Sequence, residues 1–218
     1  MEIKYQTDDL LRYTQIVAIP QEYDAASPYD TLYFEFVSPA IVRMNLLAVA
    51  GVCAFRQSIE AQLKVERSID RPVAEAIGRF LHQPGFHISK VDFRPKDPTR
   101  MPNIAAVTVK GNTPILEVQN SADRDRSFNF EIHNSAKRVG WSMELPNISV
   151  PSNAQLMASA HEKFTLNWWG PFVATVILMA DAFQIGTIRL PYMYRDEAKS
   201  LRDLLMSIEF KLVVDEYL

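Results

Sequence analysis

Histidine is the side chain best suited to transferring protons or binding a metal ion near neutral pH. The chain has four histidines, which are His82, His87, His133 and His161. His161 and Glu162 begin like the helical metalloprotease motif, but Thr165 stands where that motif requires its second histidine. Pro84 separates His82 from His87, so this pair does not share one face of a helix. The sequence therefore predicts no metal site.

The chain has one cysteine, Cys53, within the apolar run Ala-Gly-Val-Cys-Ala-Phe of residues 50–55. A single cysteine cannot form an intrachain disulfide, and it rules out a zinc site built from several cysteines. A catalytic thiolate needs a nearby base and partial exposure to solvent, and the neighbouring residues supply neither. We expect Cys53 to be a buried, unreactive side chain.

Glycine is scarce, with seven residues, and no two of them lie closer than seven positions apart. Loops that bind the phosphates of nucleotide cofactors need clustered glycines, so that successive backbone N–H groups approach the ligand. The chain therefore has neither a dinucleotide-binding fingerprint nor a P-loop. Gly140 is followed two positions later by Ser142, but Glu144 stands where a nucleophile elbow requires its second glycine. We predict no cofactor and no tight binding of ATP or NAD.

Two segments combine cations with aromatic residues, a combination that can hold phosphates and stack nucleic-acid bases. The first follows Phe93 and the second surrounds Phe128 and Phe130. Their candidate nucleic-acid contacts are Arg94, Lys96 and Arg100 in the first segment, and Arg126, Lys137 and Arg138 in the second. Because Phe128 and Phe130 share one face of a predicted strand, a core position is the favoured interpretation for them. Single-stranded nucleic acid is therefore an alternative partner, not the preferred one.

The most distinctive aromatic segment contains Trp168, Trp169 and Phe172, with Gly170 and Pro171 between them. Two adjacent tryptophans on an extended chain point to opposite faces, so a single-sided core accommodates only one. Gly170-Pro171 would interrupt a strand and leave Trp169 near its end, incompletely buried. One hypothesis makes these three aromatics an exposed anchor for a partner chain, since tryptophan is enriched in interface hot spots. The alternative is that both faces are covered and the rings are packing residues.

Composition places the chain among ordinary globular proteins. Its 218 residues are 48% hydrophobic, which is enough for a substantial core, and its net charge is -3 with a pI near 5.8. This balance creates no overall field that attracts nucleic acid or an anionic membrane. The polar, acidic first residues do not resemble a signal peptide, and the uncharged apolar stretch of residues 44–55 is too short to span a bilayer. We expect a soluble cytoplasmic protein without membrane contact.

The pattern of the first 84 residues favours helices. We predict an opening helix at 8–17, a half-buried strand at 31–37, and a long buried helix within 39–63, for which a pair of strands is the alternative. Asp70 is the predicted N-cap of a further helix, with Pro72 in its first turn.

After residue 84, β-branched and aromatic residues alternate with polar ones, as is typical of strands. The predicted strands are residues 86–93, 105–109, 115–118, 128–133, 139–143, 164–168, 174–180 and 184–190. A hairpin at Asp181-Ala182 would join the last two. A helical stripe over 198–208 and an alternating strand over 208–214 complete the chain.

These elements predict an α+β fold. Residues 1–84 form a helix-rich part packed on a larger, mainly antiparallel β-rich part, residues 85–218, which closes with a helix and a strand. A sandwich is one arrangement of the second part, and one continuous domain is the alternative to two.

The leading functional hypothesis is a non-catalytic binding or assembly protein that acts through protein–protein contacts, including self-association. It depends on the absence of catalytic motifs and on the aromatic cluster of Trp168, Trp169 and Phe172. One alternative is an enzyme whose polar residues meet only in three dimensions. The other is a single-stranded nucleic-acid binder that uses the two cationic segments.

Overall fold

The structure, a computed structural model, describes residues 1–8, 12–26, 28–36, 42–83, 85–94, 101–109, 127–134 and 142–218. These residues contain five α-helices and thirteen strands, so the predicted α+β class is confirmed. The strand predicted at 115–118 lies outside the described residues.

Nine of the described strands belong to one large sheet. They are β1 (Glu2–Asp8), β2 (Tyr13–Ile19), β3 (Thr31–Phe34), β8 (Asn103–Val109), β9 (Ser127–Asn134), β10 (Ser142–Glu144), β11 (Asn147–Ser152), β12 (Ile185–Met193) and β13 (Lys211–Tyr217). Four short strands form two parallel pairs: β4 (Gln62–Leu63) with β6 (His87–Ile88), and β5 (Ile69–Asp70) with β7 (Val91–Asp92).

The large sheet is mixed, with the order β1-β2-β3-β11-β9-β8-β12-β13, and β10 pairs with β11. The strands from β1 to β11 pair antiparallel, whereas β11, β9, β8, β12 and β13 run parallel to one another. The expectation of a mainly antiparallel sheet is therefore wrong, because helices return the chain between parallel strands in its second half. The sandwich is not confirmed.

The sheet contains strands from both sides of residue 84, and β3 pairs with β11 across that position. The predicted helix-rich character of residues 1–84 is not confirmed, since β1, β2 and β3 lie there. The opening helix predicted at 8–17 is wrong. Thr14, Ile16 and Ala18 alternate into the core, so pairing of β2 with both neighbours prevails over the weak helical pattern.

Five helices contact one another and the sheet. They are α1 (Met44–Phe55), α2 (Arg71–Leu81), α3 (Ala154–Ala158), α4 (Leu166–Phe183) and α5 (Arg195–Met206). α4 packs on β8 and β12, α5 packs on β13, and α1 packs on β1 and β2. The buried helix predicted within 39–63 is confirmed as α1. The helix predicted to follow Asp70 is confirmed as α2, and the helical stripe predicted over 198–208 is confirmed as α5.

The largest error of the sequence interpretation concerns α4. Its residues 166–183 include all of the strand predicted at 174–180, the last three residues of the strand predicted at 164–168, and the hairpin predicted at Asp181-Ala182. Thr165 caps the helix, since its hydroxyl accepts a hydrogen bond from the Trp168 amide at 3.2 Å. Fourteen residues of α4 are buried, and they lie on all sides of the helix. The hydrophobic pattern of the segment therefore does not distinguish the helical period of 3.6 from the strand period of 2.

α1 and α4 cross at very close range. A Cβ atom on Gly170 of α4 would lie 2.1 Å from the backbone carbonyl oxygen of Cys53 in α1. Without a side chain at Gly170, the two backbones approach within direct contact and most residues of both helices become buried. This crossing forms the centre of the hydrophobic core.

Leu204 tests the contribution of α5 to that core. The side chain is fully buried, so we expect Leu204→Ala to lower the free energy of unfolding by roughly 2–5 kcal/mol. Met206→Ala on the same helix is the matched control, because Met206 is 63% exposed and its loss should change stability by no more than about 0.5 kcal/mol. Urea unfolding of both variants measures the difference, and equal small changes would contradict the packing described here.

Candidate functional site

A groove of about 710 Å³ lies among the described residues. We call it the α1–α2 groove, because the first turns of these two helices form its floor. Its lining comprises Arg43, Met44, Asn45, Leu46, Arg67, Ser68, Asp70, Pro72, Arg94 and residues 206–209. This volume lies within the range of small-molecule binding sites, roughly 300–1,000 Å³.

A pair of reciprocal hydrogen bonds holds the two helix starts together. The Asn45 side-chain amide donates to Asp70 Oδ2 at 2.6 Å, and the Asp70 backbone N–H donates to Asn45 Oδ1 at 2.9 Å. Asp70 occupies the predicted N-cap position of α2, but its carboxylate binds Asn45 instead of an amide of its own helix. Neither helix has a capping side chain or an acidic residue in its first turn, and Pro72 has no N–H, so the first-turn N–H groups of α1 are the ones left without a side-chain acceptor.

Three arginines line the groove, and they differ in whether a carboxylate pairs with them. Arg43 forms a two-point ion pair with Asp181 at the end of α4, with N–O distances of 2.8 and 3.2 Å. Arg94 is held in the same way by Asp92, at 3.0 and 3.1 Å. For Arg67, which is exposed, the described residues supply no carboxylate within ion-pair distance. Arg67 is therefore the cation that the groove can offer to a bound anion.

The rest of the lining limits how much negative charge the groove can accept. Three arginines face two carboxylates, Asp70 and Glu209, and the partners of Arg43 and Arg94 neutralise two of the three. Met44, Pro72 and Met206 add apolar surface, and the flexible methionine side chains adapt to ligands of different shape. The arrangement suits a ligand with an apolar body and one anionic group better than a polyanion.

Of the residues that line this groove, only Arg94 is among the candidate site residues predicted from the sequence, as a nucleic-acid contact. Arg43 and Arg67 were missed, because nothing in their immediate neighbours marks them. The other candidate nucleic-acid contacts, Lys96, Arg100, Arg126, Lys137 and Arg138, lie outside the described residues. Of the aromatics near the second cationic segment, Phe130 is fully buried, and Phe128 packs on Phe183, as the core interpretation predicts.

The expectation that Trp169 is incompletely buried at a strand end is wrong. Trp168, Trp169 and Phe172 lie in helix α4 and are 3%, 0% and 0% exposed. The Trp169 indole N–H donates to the Tyr192 carbonyl at 2.8 Å, and its ring packs edge-on against Trp168 with centroids 4.6 Å apart. The three rings are packing residues because consecutive helical positions meet neighbours on every side of a fully covered helix.

A second, much smaller cavity of about 30 Å³ lies beside Cys53, Arg56, His161 and Asn167. The Cys53 side chain is buried, and burial raises the pKa of its thiol to about 12 despite the nearby charge of Arg56. Burial also lowers the pKa of His161. The described residues contain no group of three histidine, cysteine, aspartate or glutamate side chains placed to hold a metal ion.

The raised thiol pKa makes Cys53 unreactive in the folded protein, because the thiolate is the reacting species. We expect a disulfide-exchange reagent such as dithionitrobenzoate to leave the native thiol unmodified at neutral pH over an hour. One thiol per chain should react within minutes in denaturant, which is the control. Rapid labelling of the native protein would show that α1 opens at Cys53.

Helix α4 is long and apolar enough to cross a membrane, but 78% of that stretch is buried inside the structure, as in the core helix of a folded domain. Comparisons of the chain with protein-family models, curated proteins and solved structures give no match. A function for the chain is therefore inferred from the geometry of the α1–α2 groove.

Proposed function

We propose that this chain is a non-catalytic binding protein that takes a small organic anion in the α1–α2 groove. The observation that carries the proposal is Arg67, a guanidinium on the wall of this groove, with no carboxylate partner in the described part of the chain. The ligand would place its anionic group near Arg67 and its apolar part against Met44 and Met206.

We propose a small ligand instead of the protein partner expected from the sequence. That hypothesis depended on an exposed aromatic anchor, and the burial of Trp168, Trp169 and Phe172 removes this support. The groove instead combines a volume typical of ligand sites, available helix N–H groups and a free cation. Because the partners of Arg43 and Arg94 neutralise those two arginines, Arg67 alone is left to bind an anionic group, and a polyanion is disfavoured.

The test uses two dyes that differ only in their charged group. Anilinonaphthalene sulfonate has an aromatic body and one sulfonate, and N-phenyl-naphthylamine is its neutral counterpart. We expect the sulfonate dye to bind, with fluorescence enhancement, and Arg67→Ala to weaken its affinity roughly 10-fold, because hydrogen bonds to charged groups contribute about 1.5–3 kcal/mol. The neutral dye should bind the variant and the parent equally.

Lys199→Ala is the matched control, since it removes the same unit charge from an exposed position on α5 outside the groove. Its affinity for the sulfonate dye should be unchanged. An equal loss in both variants would indicate attraction by overall charge, and no loss in Arg67→Ala would refute the proposed anion site.

A further inference from the structure

Phe93 lies immediately beside the α1–α2 groove and is the most exposed large hydrophobic residue described in the structure, at 73%. It directly precedes Arg94, which lines the groove. The Arg71 guanidinium carbon lies 5.9 Å from the centroid of its ring, and Arg71 stands between the lining residues Asp70 and Pro72. The phenyl ring therefore lies at the rim, near a guanidinium that is also paired with Glu75.

An exposed phenylalanine costs free energy that burial would recover, since phenylalanine is among the residues most often found inside proteins. A ring with a guanidinium over it and most of its surface open is the arrangement on which nucleobases stack. The neighbouring Arg94 is fixed by its two-point pairing with Asp92, so its position at the rim is restrained. The rim thus presents a planar aromatic surface next to a groove suited to one anionic group.

We propose that the ligand is a nucleotide with a single phosphate group, whose base stacks on Phe93 and whose phosphate binds at Arg67. This inference rests on the proposed anion-binding function and specifies its ligand class. A single phosphate is the limit because Arg67 is the one lining guanidinium without a carboxylate partner among the described residues, and because the chain has no glycine loop for a diphosphate or triphosphate. The nucleotide has two possible sources, a free mononucleotide or the phosphorylated end of a single strand.

Calorimetric titration with parts of the ligand tests this assignment. Adenosine monophosphate should bind more tightly than ribose 5-phosphate, which lacks the base, and more tightly than adenosine, which lacks the phosphate. Phe93→Ala should weaken the binding of the monophosphate about 5- to 150-fold, the range that corresponds to loss of one stacked base, and leave ribose 5-phosphate unaffected. Phe93→Trp should restore the affinity, since tryptophan also stacks.

Adenosine triphosphate should bind less tightly than the monophosphate. A short 5′-phosphorylated oligonucleotide distinguishes the two sources: tighter Phe93-dependent binding of the oligonucleotide assigns the site to a strand end, and tighter binding of the monophosphate assigns it to a free nucleotide. Equal affinities for adenosine monophosphate and ribose 5-phosphate, or an unchanged Phe93→Ala variant, would overturn the inference. If sulfonate dye binding still depends on Arg67 in that case, the proposed function stands and only the ligand class fails.

Discussion

Replacing Gly170 by alanine is expected to destabilise the protein by about 3 kcal/mol or more, as measured by urea unfolding. The added Cβ would lie 2.1 Å from the Cys53 carbonyl oxygen and 3.1 Å from its carbonyl carbon. Both atoms belong to the backbone of α1, so no side-chain rotation relieves the overlap, and the two helices must separate. Overpacking of a core typically costs about 1–3 kcal/mol, and separation of its central helix pair exceeds the usual case.

Two other helical glycines provide controls for Gly170→Ala. A Cβ on Gly78 in α2 meets no atom within 4 Å, so Gly78→Ala should stabilise the protein by up to about 1 kcal/mol through its better helix propensity. A Cβ on Gly51 would meet the Ile3 side chain, with Cγ1 at 2.9 Å. Because the overlap involves a side chain and not the backbone, a smaller loss than for Gly170→Ala is expected there. Stability of Gly170→Ala equal to that of Gly78→Ala would show that α1 and α4 do not cross as described.

Asp24→Asn is expected to lower the free energy of unfolding by about 3–5 kcal/mol near pH 7. The Asp24 carboxylate lies 2.5 Å from the Met1 ammonium nitrogen, and the side chains of the two residues are 1% and 0% exposed. The same carboxylate accepts hydrogen bonds from the backbone N–H groups of Gln21 and Glu60. The substitution leaves the buried ammonium without its counter-charge, which is the costly way to break a buried ion pair.

The matched control is Glu22→Gln, which removes one negative charge from an exposed position of the same loop. It should change stability by no more than about 0.5 kcal/mol. Both variants require a free Met1 amine, so a purification tag belongs at the other terminus. Equal stability of Asp24→Asn and Glu22→Gln would show that the Met1–Asp24 pair contributes nothing to the fold.

The Asp24 pair also predicts how stability depends on pH. Burial by itself raises the pKa of Asp24, but hydrogen bonds from the Met1 ammonium and from the two amides, with the ammonium charge, produce a net lowering. A carboxyl whose folded-state pKa lies below its unfolded value of about 3.9 stabilises the fold above that value and loses this contribution as pH falls through the folded-state pKa. The stability difference between the parent and Asp24→Asn should therefore shrink below about pH 4.

Local patterns predicted the elements that bury one face. The alternation in β3, β9 and β12 and the apolar stripes of α2 and α5 identify these elements, because a half-buried strand and a half-buried helix have different periods. The apolar neighbours of Cys53 likewise predict a buried, unreactive thiol, in agreement with its raised pKa. In each case the residues that decide the outcome lie within a few positions of one another.

Contacts between distant segments, and not local sequence patterns, determine that residues 166–183 form a helix, that half of the sheet is parallel, and where the candidate site lies. α4 is apolar on all sides, so its residues show no period, and its close contact with α1 at Gly170 involves residues more than a hundred positions apart. The α1–α2 groove has the same origin: Arg43 pairs with Asp181, 138 positions away, and Asn45 pairs with Asp70, 25 positions away. Such pairings depend on how distant segments meet in space. The residue types next to each partner do not specify which segments will meet.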